Sequence, residues 1–125
     1  MQFDLVSPER SLASFAASEV GIPAADGDMT AMEGHTPTIT SLRPGVLRAV
    51  SAQGVKSYVV TGGFAEISST GVSILAERAV ALDQMTAAIL DSYIADASDA
   101  SAVATDKDAA NKVMADLLAL RSLIA

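Results

Sequence analysis

The chain has one histidine, His35, and it is the clearest candidate for acid–base chemistry, because an unperturbed imidazole titrates close to neutral pH. A histidine alone in a loop rich in glycine and proline more often makes structural contacts than it catalyses. The chain has no cysteine, and one imidazole is too few for a typical zinc centre. We therefore expect no catalytic site, no metal site and no cofactor.

Motifs that bind phosphates or supply a nucleophile do not match either. The pair Gly62-Gly63 lacks the spaced glycines and the following helix of a dinucleotide or phosphate loop. No serine stands in the Gly-x-Ser-x-Gly pattern of a nucleophile elbow. A small hydrolase that uses His35 stays open as an alternative, and it would need a nucleophile or a metal nearby.

The least ordinary segment, residues 23–37, combines turn-forming residues with three acids, two methionines and His35. Its composition predicts a long acidic loop between strands. Such a loop is either simply solvated or a binding surface. Loops on a rigid sandwich often carry binding, and methionine adapts to contact surfaces.

The charge balance narrows the possible partners. Fifteen acidic against eight basic residues give a formal net charge of −7, which disfavours nucleic acid and anionic lipid, because both need a basic surface. No apolar run approaches the roughly 18 residues of a membrane span. The amino terminus has no cationic segment followed by an apolar one. We expect a soluble protein without direct lipid insertion, which reaches a membrane only through a partner.

The elements that position these residues fall into two parts. All eight glycines and all four prolines lie in the first 71 residues. There, short β-branched or aromatic runs alternate with turn signals at roughly 8–12-residue spacing. The pattern predicts short strands, among them 46–50, 57–61, 64–68 and 72–76, packed as two sheets in a sandwich or barrel. The boundary of this part falls near Leu82–Asp83.

The residues after this boundary contain no helix breaker and predict two amphipathic helices. The first has Asp83 as its N-cap and an apolar stripe at Leu82, Met85, Ile89, Tyr93 and Ala97. Residues 97–102 lose the period and predict a connector. The second helix has Thr105 as its N-cap and a stripe at Ala110, Val113, Leu117, Leu120 and Ile124. Together the two helices predict a helical hairpin.

Four ordered motifs resemble a known protein family. They are Phe3-Asp4-Leu5-Val6-Ser7-Pro8, Asp26-Gly27-Asp28, Gly34-His35-Thr36-Pro37 with Leu42-Arg43-Pro44-Gly45, and Gly62-Gly63-Phe64-Ala65-Glu66-Ile67. In this order and spacing they resemble the epsilon subunit of rotary ATP synthases. The resemblance covers residues 3–83 and extends weakly into the helical tail.

The resemblance implies a ten-stranded β-sandwich domain over residues 1–83, followed by a two-helix hairpin domain over residues 84–125. It implies a non-catalytic rotor subunit of the central stalk that binds the gamma subunit and the membrane c-ring. Such a subunit helps to couple proton flow to ATP synthesis, and its C-terminal helices can contact the alpha and beta subunits of the head. The expected location is the cytoplasmic face of a bacterial inner membrane.

The resemblance also assigns a c-ring contact to individual positions. Asp28 takes the second acidic position of the family's loop, and His35 is placed on the same side. The full set is Asp26, Gly27, Asp28, Met29, Glu33, Gly34 and His35.

The helical tail departs from the family pattern in two ways. Thr86 stands where ATP-binding members carry an arginine, and without that guanidinium fork we expect no tight nucleotide binding. Only three bases follow position 84, against six acids, so attraction to an acidic partner is weak. We therefore expect weak or absent inhibition of ATP hydrolysis. The alternative to the whole assignment is a free-standing β-sandwich module that binds a ligand or a peptide.

Overall fold

The computed structural model describes residues 1–103 and 105–123. Within these residues the chain forms ten strands, β1 (Gln2–Val6), β2 (Ser11–Ala16), β3 (Glu19–Ala24), β4 (Gly27–Met32), β5 (Thr38–Ser41), β6 (Gly45–Ser51), β7 (Gly54–Val60), β8 (Gly63–Ile67), β9 (Gly71–Ala76) and β10 (Ala79–Ala81). Two helices follow, α1 (Ala87–Val103) and α2 (Lys107–Ala119), with 3-10 turns at Leu82–Gln84 and Leu120–Leu123. The backbone divides into two compact units, Met1–Asp83 and Gln84–Ala125.

The first unit is a sandwich of two five-stranded sheets. The first sheet has the order β2-β1-β9-β8-β5, and the second has the order β10-β7-β6-β3-β4. Strand β1 pairs with β9 in parallel, and the other neighbours are antiparallel. The observed architecture confirms the prediction of a ten-stranded β-sandwich followed by two helices.

The core of the sandwich follows from the period of two along each strand. In β9, Val72, Ile74 and Ala76 are buried, whereas Ser73 and Leu75 between them are exposed. The core cluster joins residues of both sheets, and Phe3 on β1 is the largest of its fully buried side chains. Each sheet therefore has one face in the core and one outer face.

An aromatic group links the two sheets. The Phe3 ring lies 5.2 Å from the Phe15 ring and 6.4 Å from the Tyr58 ring, between centroids. Burial, and secondarily the carboxylate of Asp83, raise the pKa of the Tyr58 phenol above its ordinary 10.0. The phenol therefore stays neutral across the physiological pH range.

The prediction of a long loop over residues 23–37 is wrong for most of its length. Strands β3 and β4 pair antiparallel from Glu19↔Met32 to Ala24↔Gly27, with a two-residue turn at Ala25-Asp26. Strand β4, Gly-Asp-Met-Thr-Ala-Met, has only one β-branched residue, so its propensity signal is weak. Only the residues from 33 to 37 form an irregular connection.

Both predicted N-caps and the predicted connector also need correction. Asp83 lies in a 3-10 turn, and the Thr86 hydroxyl accepts the Ile89 N–H at 3.2 Å as α1 begins. Helix α1 continues through residues 97–102 to Val103, because alanine, serine and aspartate there do not stop a helix. The cap of α2 is Asp106, one residue after the predicted Thr105, and its carboxylate accepts the Ala109 N–H at 3.0 Å.

The two helices pack as an antiparallel pair. Arg121, just after α2, donates to the carboxylate of Asp91, near the start of α1, at 2.5 Å. Leu117 and Leu120 of the predicted second stripe are buried, whereas Val113 is exposed. In α1 the fully buried residue is Leu90, which the predicted stripe omits. The predicted stripe position Ile124 lies outside the described residues.

Candidate functional site

The turn between β3 and β4 carries the first group of predicted site residues. Asp26 is exposed in the turn itself, and Gly27 and Asp28 open strand β4. The carboxylate of Asp28 pairs with the guanidinium of Arg43, which stands directly before Pro44 at the same end of the sandwich. The Ala25 N–H donates to the Ser41 carbonyl at 2.8 Å, which fixes the turn against the end of β5. Met29 follows in β4 and packs against the core.

The second group, Glu33, Gly34 and His35, lies beyond the other end of β4. The Gly34 N–H donates to the Ser69 carbonyl at 2.9 Å, in the turn between β8 and β9. The Glu33 carboxylate lies 4.0 Å from the Met1 ammonium group. The His35 Nδ1 lies 2.7 Å from the Thr36 carbonyl, and the His35 N–H donates to the Met32 carbonyl at 3.1 Å.

The structure therefore does not bring the seven predicted residues into one small patch. Asp28 lies near the start of β4, and Glu33 follows Met32 at its end, four residues and about 13 Å further along the strand. The β3–β4 turn lies at one end of the sandwich and the Glu33–His35 group at the other. The interpretation that His35 lies on the same side as Asp28 is corrected by this pairing of β3 with β4.

The contacts that the described residues give His35 are with backbone carbonyl groups. Its ring contacts a backbone carbonyl, and the part of the chain that the structure describes holds no group of three or more potential metal ligands. Thr86, for which the resemblance predicts the loss of an arginine, caps α1 through its hydroxyl. Its hydroxyl offers a single donor and not the fork of donors with which a guanidinium binds phosphate.

Sequence reasoning missed a surface on the outer face of the first sheet. Four large apolar side chains are exposed there: Val6 (37% exposed), Ile39 (73%), Phe64 (57%) and Leu75 (52%). Val6 pairs with Leu75 across β1 and β9, and Leu75 pairs with Phe64 across β9 and β8. We call these three the apolar row. Exposed apolar patches of this kind mark protein contacts.

The sequence indicates which side chains of a strand face outward, but it does not indicate which strands lie side by side. The alternation in Phe64-Ala65-Glu66-Ile67 places Phe64 opposite to the core residues Ala65 and Ile67. The row itself depends on the parallel pairing of β1 with β9, which joins residues nearly seventy positions apart. Periodicity alone does not reveal that pairing.

These features define a class of protein: a two-sheet β-sandwich followed by a helical hairpin, with surfaces suited to binding other proteins. The family described as ATP synthase, Delta/Epsilon chain, beta-sandwich domain matches residues 1–82. The chain is 69% identical over 122 residues to the ATP synthase epsilon chain of Fuscovulum blasticum, which covers 98% of this chain and 94% of that one. The chain therefore belongs to the family of ATP synthase epsilon chains.

Two further comparisons agree with this membership in sequence and in fold. The ATP synthase epsilon chain of Cereibacter sphaeroides is 60% identical over 124 residues, 98% of this chain and 94% of that one. A chain in a structure of Euglena gracilis mitochondrial ATP synthase, comprising OSCP, F1 and the c-ring, superposes with a TM-score of 0.72 at 23% identity. That match covers 97% of this chain and 79% of the other, and it shows the fold.

A second structural likeness is to a chain of the central stalk and c-ring of Tetrahymena thermophila mitochondrial ATP synthase. Its TM-score is 0.58 at 18% identity, over 66% of this chain and 67% of the other. Members of this family are accessory chains of ATP synthase and are not themselves catalytic. Within the described residues, neither helix has the length and apolar character needed to cross a membrane.

Proposed function

We propose that this chain is a rotor subunit of the central stalk that links the gamma subunit to the c-ring and helps to couple proton flow to ATP synthesis. It acts at the cytoplasmic face of a bacterial inner membrane, bound through its partners. The observation that carries the proposal is the presence of two separate surfaces on one sandwich. They are the apolar row on the face of the first sheet and the acidic β3–β4 turn at one end.

The gamma subunit is assigned to the outer face of the first sheet. A permanent partner within a rotor requires apolar side chains that are buried on assembly, and Val6, Phe64 and Leu75 supply them. The face is a side of the sandwich and not an end, so a partner that lies beside it leaves both ends accessible.

The c-ring is assigned to the β3–β4 turn, and the contact centres on Asp26, Gly27, Asp28 and Met29. Asp26 and Asp28 are exposed at the tip of a hairpin that is held in place by the Arg43 ion pair and by the Ala25–Ser41 hydrogen bond. A rigid, charged tip suits a contact with polar loops. The group Glu33, Gly34 and His35 at the opposite end then lies outside the centre of this contact.

A cysteine at position 28 is expected to form a disulfide with a cysteine placed in the polar loop of the c-ring of the same complex. The chain has no native cysteine, so each variant carries one thiol. Loss of the exposed Asp28–Arg43 pair costs only about 0–1 kcal/mol of folding free energy, so the variant keeps its fold. The product is measured on membranes after mild oxidation, as a band of added mass that disappears on reduction.

Two matched variants make this cross-link specific. Glu33→Cys places the thiol at the far end of β4, and Glu66→Cys places it on the outer face of the first sheet. We expect much weaker cross-linking to the c-ring from both positions. A product of Asp28→Cys with the alpha or beta subunit, or equal c-ring products from Asp28→Cys and Glu66→Cys, would show that the placement is wrong.

The helical unit is proposed to inhibit ATP hydrolysis weakly or not at all. Bases of the unit already pair inside it: Lys112 pairs with Asp116, and Arg121 pairs with Asp91, each at 2.5 Å. A contact with an acidic segment of the head would have to break such pairs. The net electrostatic gain from that exchange is small, because each exposed pair contributes little.

Removal of residues 84–125 is expected to change the ATP hydrolysis rate of the assembled complex by less than about 2-fold, because exposed charge contacts contribute little free energy. The measurement compares purified complexes that carry the full or the truncated chain at equal occupancy. A control complex without the chain gives the rate in its absence. A several-fold rise for the truncated chain would refute weak inhibition.

The absence of tight nucleotide binding stays a prediction, supported by the single hydroxyl that Thr86 offers in place of a guanidinium. The alternative, a free-standing ligand-binding module, has one feature in its favour, a groove of about 340 Å3 lined in part by Phe64 and Leu75. This groove lies on the face assigned to gamma, and it is a depression of the surface and not an enclosed pocket. The apolar lining therefore serves a protein contact equally well.

A further inference from the structure

We propose that the outer face of the first sheet selects a basic, amphipathic segment of the gamma subunit, with Asp4 and Glu66 accepting its lysine or arginine side chains. This inference rests on the proposed binding of gamma to the same face. It adds the chemistry of the partner segment and two residues that determine specificity.

The two carboxylates stand in a row beside the apolar row. Asp4 on β1 pairs with Ser73 on β9, and Ser73 pairs with Glu66 on β8. Because neighbouring strands lie about 4.8 Å apart, the backbone positions that carry the two carboxylates are about 10 Å apart. We call Asp4, Ser73 and Glu66 the acidic row.

The acidic row and the apolar row run parallel across the same three strands. Asp4 and Val6 are two residues apart on β1, and Glu66 and Phe64 are two residues apart on β8, which corresponds to about 7 Å in each case. A helix that carries a cation four residues from an apolar anchor presents the two at a rise of about 6 Å. A basic amphipathic segment therefore matches both rows at once.

The two carboxylates have no cation beside them on the three strands that carry the acidic row. The outward positions of β1, β9 and β8 include no lysine or arginine. In the described part of the chain, no ion pair joins Asp4 or Glu66 to a cation. Asp4 accepts hydrogen bonds from the Ser14 hydroxyl at 2.7 Å and from the Gln2 amide at 3.2 Å, which hold its carboxylate in place. Glu66 is exposed.

If an apolar segment without cations bound here, the two carboxylates would lose water at the contact. No ion pair would compensate the free energy of that loss. A basic segment instead pairs with them, and complementary charge also speeds association. The charge of the face therefore discriminates among segments that the apolar row alone would accept.

The test measures binding of the full chain to a purified complex of alpha, beta and gamma subunits that lacks the epsilon chain, at several salt concentrations. The variant Asp4→Asn/Glu66→Gln removes the charges and keeps the side-chain shapes. We expect affinity to fall about 5- to 20-fold at low salt, mainly through slower association, and the salt dependence to flatten. Phe64→Ser is expected to weaken binding about 10-fold or more through faster dissociation, with the salt dependence retained.

The matched control is Glu19→Gln/Asp99→Asn, which changes the net charge by the same amount and leaves the outer face of the first sheet intact. Wild-type binding by this control supports local pairing. If both double variants bind equally weakly, the loss of affinity comes from the overall net charge and not from Asp4 and Glu66, and the inference is overturned. Circular dichroism checks folding, and if Asp4→Asn misfolds, the exposed Glu66→Gln alone carries the test.

The remaining outcomes separate the inference from the proposed function. If the charge variant binds as wild type while Phe64→Ser binds weakly, the face binds gamma, and the basic character of the partner is wrong. If the wild-type chain does not bind the complex, both the inference and the proposed gamma contact fail.

Discussion

Replacement of Gly63 by alanine is expected to lower the free energy of unfolding of the sandwich by about 3–5 kcal/mol, because strain and overlap act together. Gly63 has φ +116°, a backbone conformation that side-chain-bearing residues rarely adopt. A Cβ there would lie 1.9 Å from the Leu75 carbonyl oxygen on the neighbouring strand. That oxygen is backbone within the β8–β9 ladder, so it cannot move aside without breaking the pairing of Gly63 with Ala76.

The matched control is Gly54→Ala, at the start of β7. Gly54 has a similar φ of +119°, but a Cβ there meets no atom within 4 Å. This variant therefore carries the strain without the overlap, and we expect it to be less destabilised by about 1–3 kcal/mol. Urea unfolding of the full chain, followed by circular dichroism, gives both values. Equal losses in the two variants would mean that the overlap with β9 is relieved and that only the backbone conformation matters.

Gly63→Ala is also expected to weaken the proposed contact with the gamma subunit. Phe64 of the apolar row follows Gly63 directly. Leu75, whose carbonyl oxygen would overlap with the added Cβ, is the neighbour of Phe64 in that row. Distortion at Gly63 therefore reaches the proposed gamma contact as well as the core. The motif Gly62-Gly63-Phe64 therefore places a backbone requirement directly before an exposed residue of the proposed gamma contact.

The sequence predicted the strands that carry strong signals and did not place several others, of which β4 is the clearest example. β6 to β9 are rich in valine, isoleucine and aromatic residues and lie between glycine turns, so their positions were predictable within one to three residues. β4 is built from small and polar residues that also suit a loop. Its strand state comes from pairing with β3, which is a tertiary effect that local propensity does not contain.

The candidate site was predictable in composition and not in arrangement. The acidic turn residues Asp26 and Asp28 are exposed as expected, because charged residues in turns remain solvated. Once β4 is a strand, Glu33 and His35 must lie far from them, and the predicted single contact separates into two groups. The outer face of the first sheet depends on β1 lying beside β9, a long-range pairing that local patterns do not specify.

The helix starts show a similar limit at shorter range. Asp83 and Thr86 are both acceptable caps three residues apart, and so are Thr105 and Asp106 as neighbours. The N-cap is the residue whose side chain accepts a free N–H of the first turn. In this structure Thr86 accepts from Ile89, and Asp106 accepts from Ala109. The choice gives Thr86 a structural role as the N-cap of α1.

Replacement of Phe3 by alanine is expected to cost about 3–5 kcal/mol of unfolding free energy, as for a large aromatic side chain removed from a closed core. Phe3 on the first sheet is fully buried and contacts the ring of Tyr58 on the second sheet, so its loss leaves a cavity between the two layers. Phe64→Ala is the control, because the same residue type is removed from the exposed outer face, where the expected cost is below about 0.5 kcal/mol.

The pair of phenylalanines separates folding from binding. Phe3→Ala should lower the urea midpoint strongly, and the residual folded protein should still bind the complex of alpha, beta and gamma subunits. Phe64→Ala should leave the urea midpoint close to that of the wild type and weaken binding. If Phe64→Ala instead lowers stability as much as Phe3→Ala, Phe64 packs in the sandwich, and the apolar row is not available to a partner. A full loss of binding with unchanged stability would place the energetic centre of the gamma contact on the first sheet.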